Sequence, residues 1–417
     1  MSSDRLTPHT SFRPAYLAAA LAALAIACGD PAVPTQPTLT SAHIVHPIPA
    51  VRGILAAGSY DNCALAVGGQ AYCWGENFAG EVGDGTRYQR LVPTAVVGGI
   101  TFASLSGGYW HACGLTADGI GYCWGWNAYG DLGDGTNTNR LAPSPVAGGH
   151  SWVQLETGTW SGCGLLENGE AYCWGNNDWG NVGDGTTTHR NTPVRVIGGI
   201  SFTLIVDGAN HVCGLANGGR AYCWGQNDAG QLGDGTLIDH RQPMPVKGEK
   251  RFTRLALGYG HVCGLTKGGK VYCWGGNDDG RLGDGTRTER LVPTAVAGDF
   301  TFRSLTAGGY HTCGILPTGA ARCWGKNSAL PPYFYGGQLG DGTTTDRLRP
   351  TPVRGDFHFA VLSAGEGHTC GITVKGKAWC WGSNLRGQLG DGTTTDRLVP
   401  TAVAGGLTFP VPAGEPR

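Results

Sequence analysis

From Thr101 onward, apolar and polar positions fall into short runs broken by glycine. Phe102-Ala103-Ser104-Leu105 is one run, Ala112–Thr116 a second and Ile120–Trp124 a third. A fourth apolar position, Val146, follows a long polar stretch containing Gly133-Asp134-Gly135-Thr136. Runs of four to six residues, bounded by Gly and Pro about every ten positions, predict strands. No helix tolerates that punctuation. Each group of about fifty residues therefore predicts four short strands.

The pattern repeats. Cys63, Cys113, Cys163, Cys213, Cys263, Cys313 and Cys370 are each followed ten positions later by another cysteine: Cys73, Cys123, Cys173, Cys223, Cys273, Cys323 and Cys380. The step between units is 50 residues five times and then 57. Four short strands per ~50-residue unit mark the blade of a β-propeller, and seven blades close a ring. The expected fold is all-β, a seven-bladed β-propeller occupying 51–417. Leu407-Thr408-Phe409 begins an eighth first strand that breaks off, and Ile54-Leu55-Ala56-Ala57 matches its missing end. The two ends are expected to meet.

The phrases HACGLTADGIGYCWGWNAYGDLGDGT and HTCGITVKGKAWCWGSNLRGQLGDGT resemble the regulator-of-chromosome-condensation (RCC) repeat, and all seven units carry the likeness. The resemblance implies a seven-bladed propeller. The family's founding member is a nuclear exchange factor for a small GTPase, a plant relative senses ultraviolet light through tryptophans, and some secreted bacterial relatives inhibit β-lactamases by binding them. A fold hosts many functions, so none of these is carried over by the fold alone.

In the stretch His111–Gly125 the two cysteines, Cys113 and Cys123, are symmetric about Asp118. Thr116 and Ile120 then flank the loop Ala117-Asp118-Gly119, and three-residue hairpin loops favour Gly at their third position. Gly69, Gly169, Gly219, Gly269, Gly319 and Gly376 obey the same arithmetic. The second and third strands of each unit are thus a hairpin with its cysteines opposite one another, close enough to bond. Seven intra-blade disulfides are expected. Zinc would need four ligands, whereas each unit offers two cysteines and at most one nearby histidine, replaced by Asp61 and Ser161 in two units. Redox catalysis would need a C-x-x-C-like pair, and there is none.

The remaining cysteine, Cys28, closes an N-terminal signal. Arg5 and Arg13 precede the apolar run Tyr16–Ala27, too short to span a bilayer but right for a signal-peptide core. Ala25-Ile26-Ala27-Cys28 fits ordinary cleavage and also resembles a bacterial lipobox, which would make Cys28 a lipidation site. The organisation expected is a signal peptide over 1–27, a Pro/Thr-rich tether over 28–50, then the propeller. The product is exported, either lipid-anchored in a bacterial cell envelope or secreted, with the membrane involved only through that anchor.

Composition narrows the function. Charged residues are 15% and the formal net charge is −1, which gives no electrostatic footprint for nucleic acid. No P-loop, G-x-S-x-G or H-E-x-x-H occurs, and no catalytic set breaks the repeat. No cofactor or metal is expected. The seven tryptophans of the Trp-Gly step, Trp74 through Trp381, are expected between blades. The seven G-D-G-T aspartates read as turn caps, and Arg90, Arg140, Arg190, Arg241, Arg290, Arg347 and Arg397 are expected to tie those loops to neighbours.

Function in a repeat chain should lie where the units differ. Two places vary: just before the second strand, and just after W-G-x-N. They hold Tyr60, Tyr109, Trp110 and Trp160, then Phe78, Tyr129 and Trp179, with Trp126 near them. Both connections lie at one end of an up-and-down blade, so these rings should share one face. The seven extra residues of the sixth unit add Tyr333, Phe334 and Tyr335 at the same end. Exposed Trp and Tyr clusters suit recognition of proteins or glycans. The expectation is a monomeric, non-enzymatic binding scaffold for a protein or glycan. The alternatives are a secreted lyase or hydrolase at the channel mouth, which would need a carboxylate or histidine cluster peculiar to one blade, and an exchange factor by family analogy.

Overall fold

The computed structural model describes residues 53–328 and 336–411. The signal, tether and Cys28, and with them Tyr333, Phe334 and Tyr335, lie outside the described residues.

The described chain forms seven four-stranded antiparallel sheets, each a meander in chain order. The first is β1 (Leu55–Ala57), β2 (Asp61–Leu65), β3 (Ala71–Gly75) and β4 (Arg90–Ala95). Six more sheets follow, ending with β25 (Phe359–Ala364), β26 (His368–Thr373), β27 (Ala378–Gly382) and β28 (Arg397–Ala402). The innermost strands of successive blades lie side by side, and β25 lies beside β1. The ring is closed, and the seven-bladed all-β propeller expected from the repeat is the fold.

The cysteines pair within blades, as the hairpin symmetry predicts. Cys63 is the direct cross-strand partner of Cys73 in the β2–β3 ladder and is bonded to it. The next three blades bond Cys113 to Cys123, Cys163 to Cys173 and Cys213 to Cys223. The last three bond Cys263 to Cys273, Cys313 to Cys323 and Cys370 to Cys380. Every pair has its Cα atoms 4.1 Å apart. That separation belongs to a non-hydrogen-bonded antiparallel pair, where side chains face each other most closely. The hairpin loops need their third-position glycine: Gly119 sits at φ 84°, a region that disfavours any residue with a Cβ.

Seams between blades are built from three repeated contacts. Each Trp of the Trp-Gly step is fully buried. Six of the seven indoles reach a carbonyl of the adjacent blade, as Trp124 Nε1 does to Glu81 O at 2.9 Å. The second contact is backbone: the second glycine of each G-D-G-T loop donates to the next blade, as Gly85 N does to Leu141 O at 2.9 Å. The third is an aromatic that opens the innermost strand and docks on the preceding blade, Phe102 N donating to Gly69 O at 2.9 Å. Blade one lacks this aromatic, having Arg52 in its place. Phe409 supplies it instead: its N donates to Gly376 O at 3.0 Å, and its ring packs with Leu55, Trp74 and Ile372. Residues 407–409 form no strand, but the two ends of the domain do meet.

These contacts fix direction. Every innermost strand starts at the face carrying the hairpin turns and ends at the opposite face.

Two expectations need correction. The arginines do not tie the loops to neighbours through their side chains. Arg90 Nε donates to Asp84 Oδ2 of its own loop at 2.6 Å, and Asp84 Oδ1 accepts from Thr86 N and Oγ1 at 2.9 and 2.7 Å. In blade four His240 takes this place, 2.9 Å from Asp234. Arg241 stands one position on, where its carbonyl accepts from Gly185 N. The fourth strand of blade two is Arg140–Pro145, ending before Val146; that buried valine begins the turn, its N donating to Gly121 O.

Candidate functional site

The connection between the innermost and second strands of each blade is three residues beginning with glycine, and these connections crowd around the axis. Ser59 N donates to Gly108 O at 3.2 Å and Thr159 N to Gly208 O at 2.9 Å, linking neighbouring connections directly. A side chain at the second or third residue must therefore point out of the face or across the channel.

The rings expected on one face are on one face. Tyr60, Tyr109, Trp110, Trp160, Trp126, Phe78 and Tyr129 make an unbroken set of contacts. Tyr109 and Trp110 are 4.5 Å apart between ring centroids, Trp110 and Trp160 4.9 Å, Phe78 and Trp110 5.1 Å, Trp110 and Trp126 5.5 Å. Tyr60 joins at 5.8 Å from Tyr109 and Tyr129 at 6.1 Å from Trp160. Most pairs are edge-to-face or tilted, the arrangements that aromatic quadrupoles favour. Phe78, Tyr129 and Trp179 are exposed, at 39%, 38% and 39%. The other rings are half-buried supports beneath the surface.

Two further rings were not singled out from the sequence, although they occupy the same variable positions. Tyr259 of blade five crosses the axis. Its hydroxyl is 3.0 Å from Ser59 Oγ of blade one, and its ring lies 6.4 Å from Tyr109 and 5.4 Å from Tyr310 of blade six. It thereby caps the channel at this face. The signal for Tyr259 and Tyr310 was present: both stand in the same sequence column as Tyr109 and Trp110.

Charge under this face is concentrated in buried carboxyls. Burial pushes Glu366 of blade seven up to about 7, against the hydroxyls of Tyr259, Tyr60 and Ser59. Burial likewise raises Glu81 and Asp131 to about 7 and Asp207 to about 8. Asp61, in place of the histidine of other blades, is raised well above its ordinary value by burial and then by Glu81 and Glu76. The rim is mixed: Arg386 approaches Glu76 at 3.3 Å, and Lys326 stands 5.2 Å from the Tyr310 ring centroid. Among the described residues no group of three or more His, Cys, Asp or Glu side chains is placed to hold a metal ion.

Geometry alone defines the class: a closed, disulfide-stapled seven-bladed propeller with an aromatic face and a capped channel. The chain belongs to the RCC1-like family, whose domain model matches residues 145–414. Models of the regulator of chromosome condensation (RCC1) repeat match 102–131 and 118–165. Among curated proteins none matches the sequence. Among solved structures, human WBSCR16 is similar at 20% identity and a TM-score of 0.70, over 81% of this chain and 94% of that one. Prp20p of Saccharomyces cerevisiae, described with its binding to Gsp1p and histones, is similar at 23% identity and 0.70, over 84% and 88%. The ectodomain of the Arabidopsis thaliana receptor kinase ACR4 is more distant, at 20% and 0.53, over 85% and 98%. These likenesses carry the fold.

Proposed function

We propose that the chain is an exported, non-enzymatic scaffold whose aromatic face binds a protein partner. The observation that carries this is the packing of that face: exposed Phe78 and Tyr129 rest on half-buried rings in one contiguous set over the first three blades, with Trp179 exposed at the same variable position of blade three. Contiguous apolar surface of this kind marks interaction sites, and Trp and Tyr dominate their energetics. A protein suits it better than a glycan because the rings interlock edge-to-face and offer no run of parallel open faces for sugars. Structural neighbours also bind proteins: Prp20p binds Gsp1p and histones, and yeast RCC1 has been seen bound to Kap60. The seven disulfides fit an oxidising compartment and disfavour an exchange role on a cytosolic GTPase. Export through 1–27, a tether over 28–50 and lipidation at Cys28 complete the reading.

The enzyme alternative has one residue in its favour, Glu366, a carboxyl peculiar to one blade at the channel mouth. At 4% exposure and beneath Tyr259, it meets no substrate in this conformation.

The test is capture from envelope extract by the mature domain and by a Phe78→Ala/Tyr129→Ala/Trp179→Ala variant. All three side chains are exposed, so the variant should fold. A protein retained by the first and lost by the second supports the reading. Retention of a glycan instead, or equal retention by both, overturns it.

A further inference from the structure

The axial channel holds a second feature, independent of the aromatic face. Below Tyr259 is a cavity of about 230 Å³ lined by the innermost strands. That is under the ~300–1,000 Å³ of pockets for drug-sized ligands, but ample for a small ion with its waters. Four residues before the glycine that ends each innermost strand, six blades carry Ile54, Ser104, Gln154, Leu204, Ser304 and Val361. Blade five carries Arg254. Its guanidinium has no hydrogen bond or ion pair among the described residues, and burial lowers its pKa with nothing opposing. Arg254 also lines an adjoining cavity at the hairpin-turn face, with Thr203, Gly219 and Phe252, and it is the residue common to both. It stands where the channel opens.

The layer above it is rich in hydroxyls. Thr306 Oγ1 accepts from Ala364 N, and Ser363 Oγ from Ala57 N, both at 3.0 Å. With a backbone donor already satisfied by each oxygen, each hydroxyl proton is left to point at another acceptor. Blades five to seven thus line the same cavity with a guanidinium and two hydroxyl groups free to donate. The acids on the opposite wall have donors of their own: Gln154 Nε2 lies 2.7 Å from Glu156, and Ser161 Oγ lies 2.9 Å from Asp207.

A partly desolvated cation with no ion-pair partner is costly, and an anion in bidentate contact offsets that cost. We propose that the channel is a binding site for a small oxyanion, a carboxylate or a phosphate. The anion enters at the hairpin-turn face, is held by the Arg254 fork, and is oriented by the hydroxyls of Thr306 and Ser363. The fork matches both shapes of anion bidentately.

The test is calorimetric titration of the folded, oxidised domain with sodium acetate, oxalate, phosphate and sulfate at constant ionic strength in chloride. Saturable one-to-one binding of at least one of them is expected. Arg254→Ala should weaken it by at least about tenfold, the loss of a charged bidentate contact. Arg254→Lys, which keeps charge but not the fork, should fall between, and carries the comparison if the alanine variant misfolds. Arg349→Ala removes an exposed arginine outside the channel and should change nothing. Tighter oxalate or acetate binding names an organic acid as ligand; tighter phosphate names a phosphate. No saturable binding of any of the four by the unaltered domain, or binding by the folded Arg254 variants equal to that of the unaltered domain, overturns the proposal. Neither result bears on protein capture by the other face.

Discussion

Five blades place a buried histidine at the head of the second strand, and the first and third place Asp61 and Ser161 there. Four of the rings bond to the next blade: His111 to the Ser161 carbonyl at 3.2 Å, His261 to Thr312 at 2.9 Å, and His311 to Thr369 and His368 to Asn62, both at 2.8 Å. Burial lowers all five, His111 and His211 to about 4, His311 and His368 to about 3, and His261 well below its ordinary value. Lowered histidines bind fewer protons in the fold than in the unfolded chain, so their contribution is lost as pH falls below the unfolded value of ~6.5. The five buried carboxyls act oppositely. Their raised values favour the fold at low pH, and that contribution is lost as pH rises through about 7 to 8. Between pH ~4.5 and ~6.5 the two sets offset each other; above ~6.5 only the carboxyls still titrate. The melting midpoint should therefore be higher near pH ~6 than near pH ~8.5. Asp207→Asn, which keeps an acceptor for Ser161, should flatten that fall. A midpoint that rises over this range would contradict the burial of these groups as neutral acids.

At the scale of elements, the lock between blades is an indole against a glycine. A Cβ on Gly133 (φ 64°) would stand 2.8 Å from Trp174 Nε1, whereas one on Gly135 (φ 83°) meets nothing closer than Thr192 at 3.8 Å. Both substitutions by Ala bear the left-handed backbone strain of ~1–2 kcal/mol. Gly133→Ala should cost clearly more than Gly135→Ala in denaturant melts, because the fully buried Trp174 has nowhere to move. Each hairpin disulfide closes a short loop, so a paired Cys213→Ala/Cys223→Ala variant should lose roughly 2–3 kcal/mol on the chain-entropy view. The hairpins were legible in the sequence because symmetry about a loop glycine is a local property. The seven pairings, from Cys63–Cys73 to Cys370–Cys380, followed from that symmetry alone. The aromatic face was legible for a similar reason, since two connections of known parity put it at one end. Tyr259 stands in the same legible column as Tyr109, but its reach across the axis was not legible, nor was the role of Arg254, because both depend on how far a side chain extends toward the axis. The Arg241 misplacement has a plain cause: His240 substitutes for the arginine, and an unrelated arginine follows it.

At the scale of the molecule, closure depends on a borrowed ring. Phe409, 3% exposed, fills the slot that the first blade's own sequence leaves without an aromatic. Phe409→Ala should cost about 3–5 kcal/mol, in the range of other buried Phe truncations. The loss should open the seam between the last and first blades ahead of the rest, seen as early hydrogen exchange in β1 and β25. Uniform exchange across all blades would mean the seam is no weaker than its neighbours. The direction of the innermost strands has a further consequence. Gly53 joins the disc at the hairpin-turn face, and Phe409 docks against a turn of that same face. Both described ends of the domain therefore lie on the side opposite the aromatic rings. A partner bound to the aromatic rings and the two described ends of the domain are thus kept apart by the full thickness of the disc.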